Sequence, residues 1–276
     1  MYPFGIFKYI DLIKVLVSTQ LKVKYKSNYL GFFWSILNPL LMMVILSFVF
    51  TLIIRADIRD DYPNVAYPVF LLLGQVFWRF FQMGTNHGMQ SVIMHSGIIK
   101  RVYFPREIVV VASVLASLFI AILELLVFFG VLGLFQLYFY HTSQALIPVH
   151  VGFVFIFVFL GMTALLVLGL SFFLASIYVR YRDINEIWQV VTTAGFFLTP
   201  IIYSVSFFSQ SGIPWVNPIL TINPLARLIP MSRRAIFLGE IPGLYKVFLP
   251  FSVILLVLVA GIFYFRSREK TFRQYL

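Results

Sequence analysis

The sequence predicts an all-α polytopic membrane protein with six transmembrane helices, and three observations carry that prediction. Of the 276 residues, 61% are hydrophobic and 11% charged, with a mean hydropathy of +0.95; a soluble domain carries about a quarter charged residues. The apolar residues fall in runs long enough to cross hydrocarbon, divided by short polar loops. Lys and Arg gather in alternate loops, so the net charge of +11 fits the positive-inside rule better than a nucleic-acid groove. One membrane domain, 1–276, accounts for the length.

Other classes are excluded by what the sequence lacks. It has no Cys, hence no disulfide framework and no thiolate chemistry. No GxxxxGKS or GxxxxGKT run occurs, so the chain carries no P-loop of its own. The opening MYPFGIFKYIDLIK has neither an unbroken apolar run nor a small-residue cleavage site, and no signal peptide is expected. His87, His95, His141 and His150 lack ligand spacing, so no metal site is expected. No nucleophile–base arrangement is visible, and no catalytic residue is assigned.

The first element, 5–27, sets Ile6, Ile10, Ile13, Val17 and Leu21 at helical spacing, with Lys8, Asp11, Lys14, Lys22 and Lys24 mostly elsewhere around the turn. This is a basic amphipathic helix expected to lie in the membrane interface, as an anchor or as part of a cytoplasmic platform. The first span, 31–54, is uncharged and about 36 Å long at ~1.5 Å per residue. Asn38-Pro39 is expected to break or kink it. A polar loop, 55–66, leads to the second span, 67–89, which is rich in Phe and Trp and carries Arg79 near its middle. Its Gly84 and Gly88 form a GxxxG, a packing signal.

The basic loop 91–107 precedes the third span, 108–139, whose only charge is Glu124. The fourth span, 147–179, amounts to about 50 Å of helix, longer than a hydrocarbon core of about 30 Å, so it should tilt or protrude. Thr199-Pro200 interrupts the fifth span, 187–206. Region 207–246 holds five of the thirteen prolines, and its apolar pieces are too short to cross. Re-entrant or interfacial helices facing outward fit it best. The sixth span, 247–265, leads into a tail with Arg266, Arg268, Lys270 and Arg273.

Six spans put both termini on one side. That side carries fourteen Lys and Arg and the other six, which places the termini, 100–107 and 180–186 in the cytoplasm. Between Ile108 and Ala226 only five residues are Asp, Glu, Lys or Arg. Four of them, Arg180, Arg182, Asp183 and Glu186, stand together in IYVRYRDINEI. Each would cost roughly 2.5–3.5 kcal/mol at the centre of a bilayer, so this stretch is a hairpin at one membrane face. It is either a solvated loop that orients the chain or a docking surface for a partner outside the membrane.

Five blocks follow one another along the chain: LKVKYKSNYLGFFWSILNPL, KRVYFPRE, YRDINEI, FFLTPIIY and INPLARLIP. Together they resemble the membrane subunit of ABC exporters for lipid-linked polysaccharides, the permeases for O-antigen, capsular polysaccharide and teichoic acid. The resemblance runs through nearly the whole chain. It implies a homodimer in the cytoplasmic membrane, paired with two copies of a separate ABC ATPase subunit. ATP and Mg would then bind that partner, with no cofactor on this chain. The resemblance further implies ATPase contact through the N-terminal helix, including Lys14, and through Arg180, Arg182, Asp183 and Glu186. It puts the substrate entrance near Lys100, Arg101, Tyr103 and Arg106, and re-entrant helices on the outer side. Arg79 departs from the family pattern, in which an uncharged residue follows the Trp.

A sugar polymer needs a wide path lined by aromatic faces. Tyr62, Tyr67, Phe77, Trp78, Phe80, Phe81, Phe196, Phe197 and Tyr203 are candidates, although such residues also face lipid and interfaces. A polyprenyl pyrophosphate head group calls for cations; Lys100, Arg101 and Arg106 would supply them, or they are plain positive-inside charges. Arg79 and Glu124 are functional candidates because they lie within spans, or they form a structural ion pair. Counting along the helices puts them about 16 and 24 Å from the inner ends, within mutual reach of long side chains. Three alternatives stay open: an ABC exporter of drugs or small lipids, a proton-coupled carrier, and a membrane-embedded transferase.

Overall fold

The computed structural model describes residues 9–26, 31–53, 58, 61–102, 104–141, 147, 150–206 and 220–275, and every element it describes is helical. Its axis is α3 (Tyr67–Met94), which runs between α5 (Glu107–His141) and α6 (Gly152–Tyr178). The last long helix, α9 (Leu244–Arg268), lies along α6. Against α5 rests α1 (Ile10–Lys26), while α2 (Trp34–Phe48) leans on both α3 and α5. The short α4 (Ser96–Ile99) follows α3, and α7 (Ile184–Leu198) and α8 (Pro224–Arg233) complete the set. Among the described residues four helical stretches are long and apolar enough to cross a membrane: Trp34–Ile53, Glu107–His141, Gly152–Tyr178 and Leu244–Phe272. At 28 residues α3 is as long, but it carries Gln75, Arg79, Gln82, Asn86, His87 and Gln90.

Small residues set the closest approaches. A methyl on Gly84 would lie 2.7 Å from Val167 Cγ1, and one on Gly88 would overlap Ser171. The GxxxG therefore packs α3 on α6, as its spacing predicts. At the α6–α9 crossing, a methyl on Gly169 would come 2.7 Å from Leu258 Cα, and one on Gly261 would overlap the Gly169 carbonyl. The two backbones touch there with no side chain between them.

Several boundaries differ from expectation. Helix α2 continues through Pro39 without interruption. The ring removes one bond, to the Ser35 carbonyl, at the sixth residue of the helix. The expected fourth helix starts at Gly152 rather than 147, so α6 is 27 residues, or about 40 Å. On α1 the buried residues are Ile13 and Leu16, while Ile10 is exposed. Its buried stripe meets α5 rather than lipid alone, and Gln20 Nε2 donates to Ser113 Oγ at 2.9 Å. Ile6 and Lys8 lie outside the described residues, as do Ile54, 55–57, Arg59, Pro148 and 207–219.

The Thr199-Pro200 break is present. Helix α7 ends at Leu198, and Thr199 is extended (φ −99, ψ 139), the conformation that a following proline imposes. Beyond it, Asn223 caps α8 by accepting the Leu225 N–H at 3.0 Å, with Pro224 at the first helical position. The Asn223 amide also donates to Thr199 Oγ1 at 3.1 Å, so α8 is tied to the break. A π-helical turn, Arg234–Leu238, ends at Gly239 with φ +71, a left-handed conformation that glycine adopts without strain.

Candidate functional site

Arg180, Tyr181, Arg182, Asp183 and Glu186 form an exposed connection between α6 and α7. The Arg180 guanidinium lies over the Tyr181 ring at 5.0 Å and Arg182 over Tyr178 at 5.7 Å. Asp183 occupies the N-cap position of α7 without a side-chain cap bond. Glu186 accepts from Asn185 Nδ2 at 3.0 Å, while Asn185 Oδ1 accepts from Gln90 on α3 at 3.1 Å. One end of this charged connection is thus fixed to the fold's axis, and its charges point outward. Lys14 stands on the exposed face of α1, 3.2 Å from Asp11.

The loop expected at the substrate entrance splits in two. Lys100 and Arg101 are exposed, and Tyr103 lies outside the described residues. Arg106 turns instead to the tail. Its backbone N–H donates to Glu269 Oε1 at 3.3 Å, its Nη1 donates to the Glu269 carbonyl, and its guanidinium lies 5.6 Å from the Phe272 ring. Beside it Glu107 accepts from Arg266 Nε at 2.5 Å. Phe272 is 1% exposed, so the tail is anchored by a buried ring flanked by these bonds. Arg106, expected beside Lys100 and Arg101, thus has its guanidinium on the Glu269 carbonyl. The two partners are 163 residues apart, and nothing local in the sequence marks them.

Arg79 and Glu124 meet. Arg79 Nη2 and Nε both stand 3.1 Å from Glu124 Oε1, and Nη1 donates to Asn38 Oδ1 on α2 at 2.9 Å. The Glu124 side chain is 1% exposed. Its second oxygen, Oε2, has no hydrogen-bond partner. Nearby, Lys24 Nζ donates to Met83 Sδ at 3.0 Å. Burial lowers the Lys24 ammonium below the ordinary lysine value; Glu124 opposes that fall and Arg79 adds to it. The pair therefore joins α2, α3 and α5, with the end of α1 alongside. Among the described residues no group of His, Asp and Glu could hold a metal ion.

The sequence model of the ABC-2 type transporter family matches residues 11–238, which takes in every group just described except the tail. This chain belongs to the ABC-2 type transporter family. It is 30% identical to an O-antigen export system permease protein RfbA of Klebsiella pneumoniae, over 96% of this chain and 95% of the relative. A Myxococcus xanthus protein of the same name is 27% identical over 98% and 96%. Polysialic acid transport protein KpsM of Escherichia coli is 21% identical over 94% and 93%. All are permease or transport proteins by name, and membrane-spanning helices are what the ABC-2 family provides.

Within this ABC-2 chain the aromatic candidates divide. Phe77 and Phe80 are fully buried and Phe81 and Trp78 nearly so, which makes them core of the single chain. Trp78, Phe81, Trp188 and Phe196 form a ladder of rings 5.3–6.1 Å apart that holds α7 to α3. Trp188 Nε1 donates to Thr85 Oγ1 at 3.0 Å. Phe197 is 58% exposed. Tyr203 is half-buried, donating to the Phe197 carbonyl at 2.5 Å. Tyr67 donates to the Ile202 carbonyl at 2.7 Å and Tyr62 packs at a tilt against Phe70 at 5.3 Å, so both serve the fold.

One residue central to the ABC-2 fold was counted in the sequence only as a loop charge. Arg233 is 1% exposed, and its guanidinium donates to three backbone carbonyls: Phe70 (3.0 and 3.2 Å), Pro200 (2.6 Å) and Ile201 (2.7 Å). It also stacks on Phe70, 3.4 Å from the ring centroid. Gly74 leaves room for it, since a methyl there would lie 3.3 Å from Cζ and overlap Nη2. Arg233 thus clamps α8, the start of α3 and the Thr199-Pro200 break together. No sequence signal for this exists beyond an arginine in the apolar LARLIPMSRRAIF run, because its partners are backbone carbonyls.

Proposed function

We propose that this chain is the transmembrane subunit of an ATP-driven exporter that moves a lipid-linked polysaccharide across the cytoplasmic membrane. The match to O-antigen export permeases over nearly the full length of both chains carries the reading. The substrate class is a polymer on a polyprenyl pyrophosphate, of the O-antigen, capsular or teichoic acid kind. Two copies of this chain assemble with two copies of an ABC ATPase subunit, and ATP and Mg bind that partner. The exposed apolar faces of α2 and α7, where Val44, Phe48, Ile187 and Val190 are 57–69% exposed, suit lipid and the second copy. Both termini, the Arg180–Glu186 connection and the Arg106–Glu269 contact face the cytoplasm. There the charged connection and α1, with Lys14, receive the ATPase, while Lys100 and Arg101 flank the substrate entrance. Region 207–246 faces outward.

Deleting the gene in its host tests this. Surface polysaccharide should disappear while the lipid-linked polymer accumulates on the cytoplasmic side, and the intact gene should restore export only together with its ATPase partner. Unchanged surface polysaccharide in the deletion strain would overturn the reading.

A further inference from the structure

Where α6 and α9 end, the tail folds back to leave a cavity of about 290 Å³. Arg180, Tyr181, Tyr264, Arg268, Thr271 and Tyr275 line it over a buried floor of Val179 and Phe272. Its volume equals about ten waters at ~30 Å³ each, room for a phosphate with its attached glycerol. The two arginines contrast with their neighbours. The Arg266 guanidinium is paired with the Glu107 carboxylate, and the Arg106 guanidinium donates to the Glu269 carbonyl. Arg180 and Arg268 have only ring faces: Tyr181 at 5.0 Å and Tyr275 at 5.9 Å for the first, Tyr264 at 5.8 Å for the second. No carboxylate lies within ion-pair distance of either among the described residues. Among the described residues the cavity therefore holds two guanidinium groups and three phenols without a carboxylate in contact. Guanidinium forks match phosphate oxygens in geometry and charge.

We propose that this cavity binds the phosphate of an anionic phospholipid. The phosphate chemistry follows from the two unpaired arginines, and the lipid source follows from what adjoins them. Phe173 on α6, 42% exposed, and Tyr264 on α9 meet as tilted rings 4.9 Å apart, an apolar strip that leads from the cavity onto two membrane-length helices. A headgroup held by Arg180 and Arg268 has its acyl chains on that strip. Basic pockets between helix ends on the cytoplasmic side are where anionic headgroups bind; the side rests on the orientation given under Proposed function. The lipid joins α6, α9 and the connection to α7 at one point.

The test uses the full chain, purified in detergent and stripped of lipid. Phosphatidylglycerol, phosphatidylcholine or inorganic pyrophosphate is added, and bound lipid is read by native mass spectrometry and by the thermal midpoint. Neither readout involves ATP hydrolysis or export, so failure here is distinct from failure of the transport reading. Phosphatidylglycerol should bind and raise the midpoint where phosphatidylcholine does not. Arg268→Gln and Arg180→Gln should each weaken that binding about tenfold, the worth of one charge-assisted contact. Lys22→Gln, exposed on α1, should leave it unchanged. Equal binding of both lipids, unchanged binding in the arginine variants, or equal loss in Lys22→Gln overturns the site. Pyrophosphate reproducing the whole shift overturns the lipid source. Arg268→Gln releasing the ATPase subunit while phosphatidylglycerol stays bound also overturns the proposal, and assigns the arginines to a protein carboxylate.

Discussion

Replacing Arg233 by Met removes all four guanidinium bonds and leaves the Pro200 and Ile201 carbonyls buried without a donor, while the Phe70 carbonyl keeps its helical bond within α3. Stranding a buried acceptor costs about 1–3 kcal/mol. Two of them, at about 2 kcal/mol each, amount to about 4 kcal/mol. For a chain of this size that is a fall of about 10 °C in the thermal midpoint. Stability loss alone would follow from many core changes, so Gly74→Ala supplies the discriminating measurement. With Arg233 present, the added methyl overlaps Nη2, and overpacking of this kind costs about 1–3 kcal/mol. With Met at position 233 the fixed planar group is gone and a flexible thioether takes its place. The same methyl should then contribute the gain of about 1 kcal/mol that Ala has over Gly in a helix. The effect of Gly74→Ala should therefore reverse sign between the two backgrounds, read as thermal midpoints of purified protein in one detergent. Equal effects in both backgrounds would show that the guanidinium does not occupy that space, and the clamp would be rejected.

Three further outcomes are expected. Arg79→Gln and Glu124→Gln should each destabilise the protein by about 3 kcal/mol, while the double variant recovers most of the loss; additive losses in a double-mutant cycle would reject the pair. Replacing Arg182 and Asp183 together by Ala should leave the protein inserted and dimeric but weaken stimulation of the ATPase subunit, and unchanged stimulation and export would remove the connection from coupling. A Cys at Gly239 should react with an impermeant thiol reagent added outside cells, and labelling only from the cytoplasm would refute an outward-facing region 207–246.

What the sequence disclosed depended on how far each signal travels along the chain. Uncharged runs near α2, α5, α6 and α9 were legible because hydrocarbon excludes charge over a whole helix. The Thr199-Pro200 break was legible because proline restricts its own neighbour. Arg79 and Glu124 were expected within reach of each other from depth alone, and they meet. Pro39 removes one helical bond, yet α2 runs on through it, so the break its ring suggested is absent. The apolar spacing of Ile10, Ile13, Val17 and Leu21 suggested an interfacial helix, yet Ile13 and Leu16 are buried against protein, and periodicity cannot distinguish those two apolar surroundings. Arg106 with Glu269, and Arg233 with three carbonyls, were invisible. The first contact joins distant loops, and the second uses partners common to all residues.

The glycine contact between α6 and α9 bears on how displacement can pass through the molecule. Two helices whose backbones touch have no intervening side chains to shear, so sliding is blocked and pivoting about the crossing is the soft motion that remains. From Gly169 to Tyr178 is about 13 Å of α6, and from Gly169 back to Gly152 is about 25 Å, at ~1.5 Å per residue. A straight helix turning on that fulcrum would multiply a push at its short, charged end nearly twofold at its far end, and in the opposite direction. Paired spin labels at the two ends of α6 and α9 would read that scissoring as distance changes of the same sign at both ends, larger at the far end.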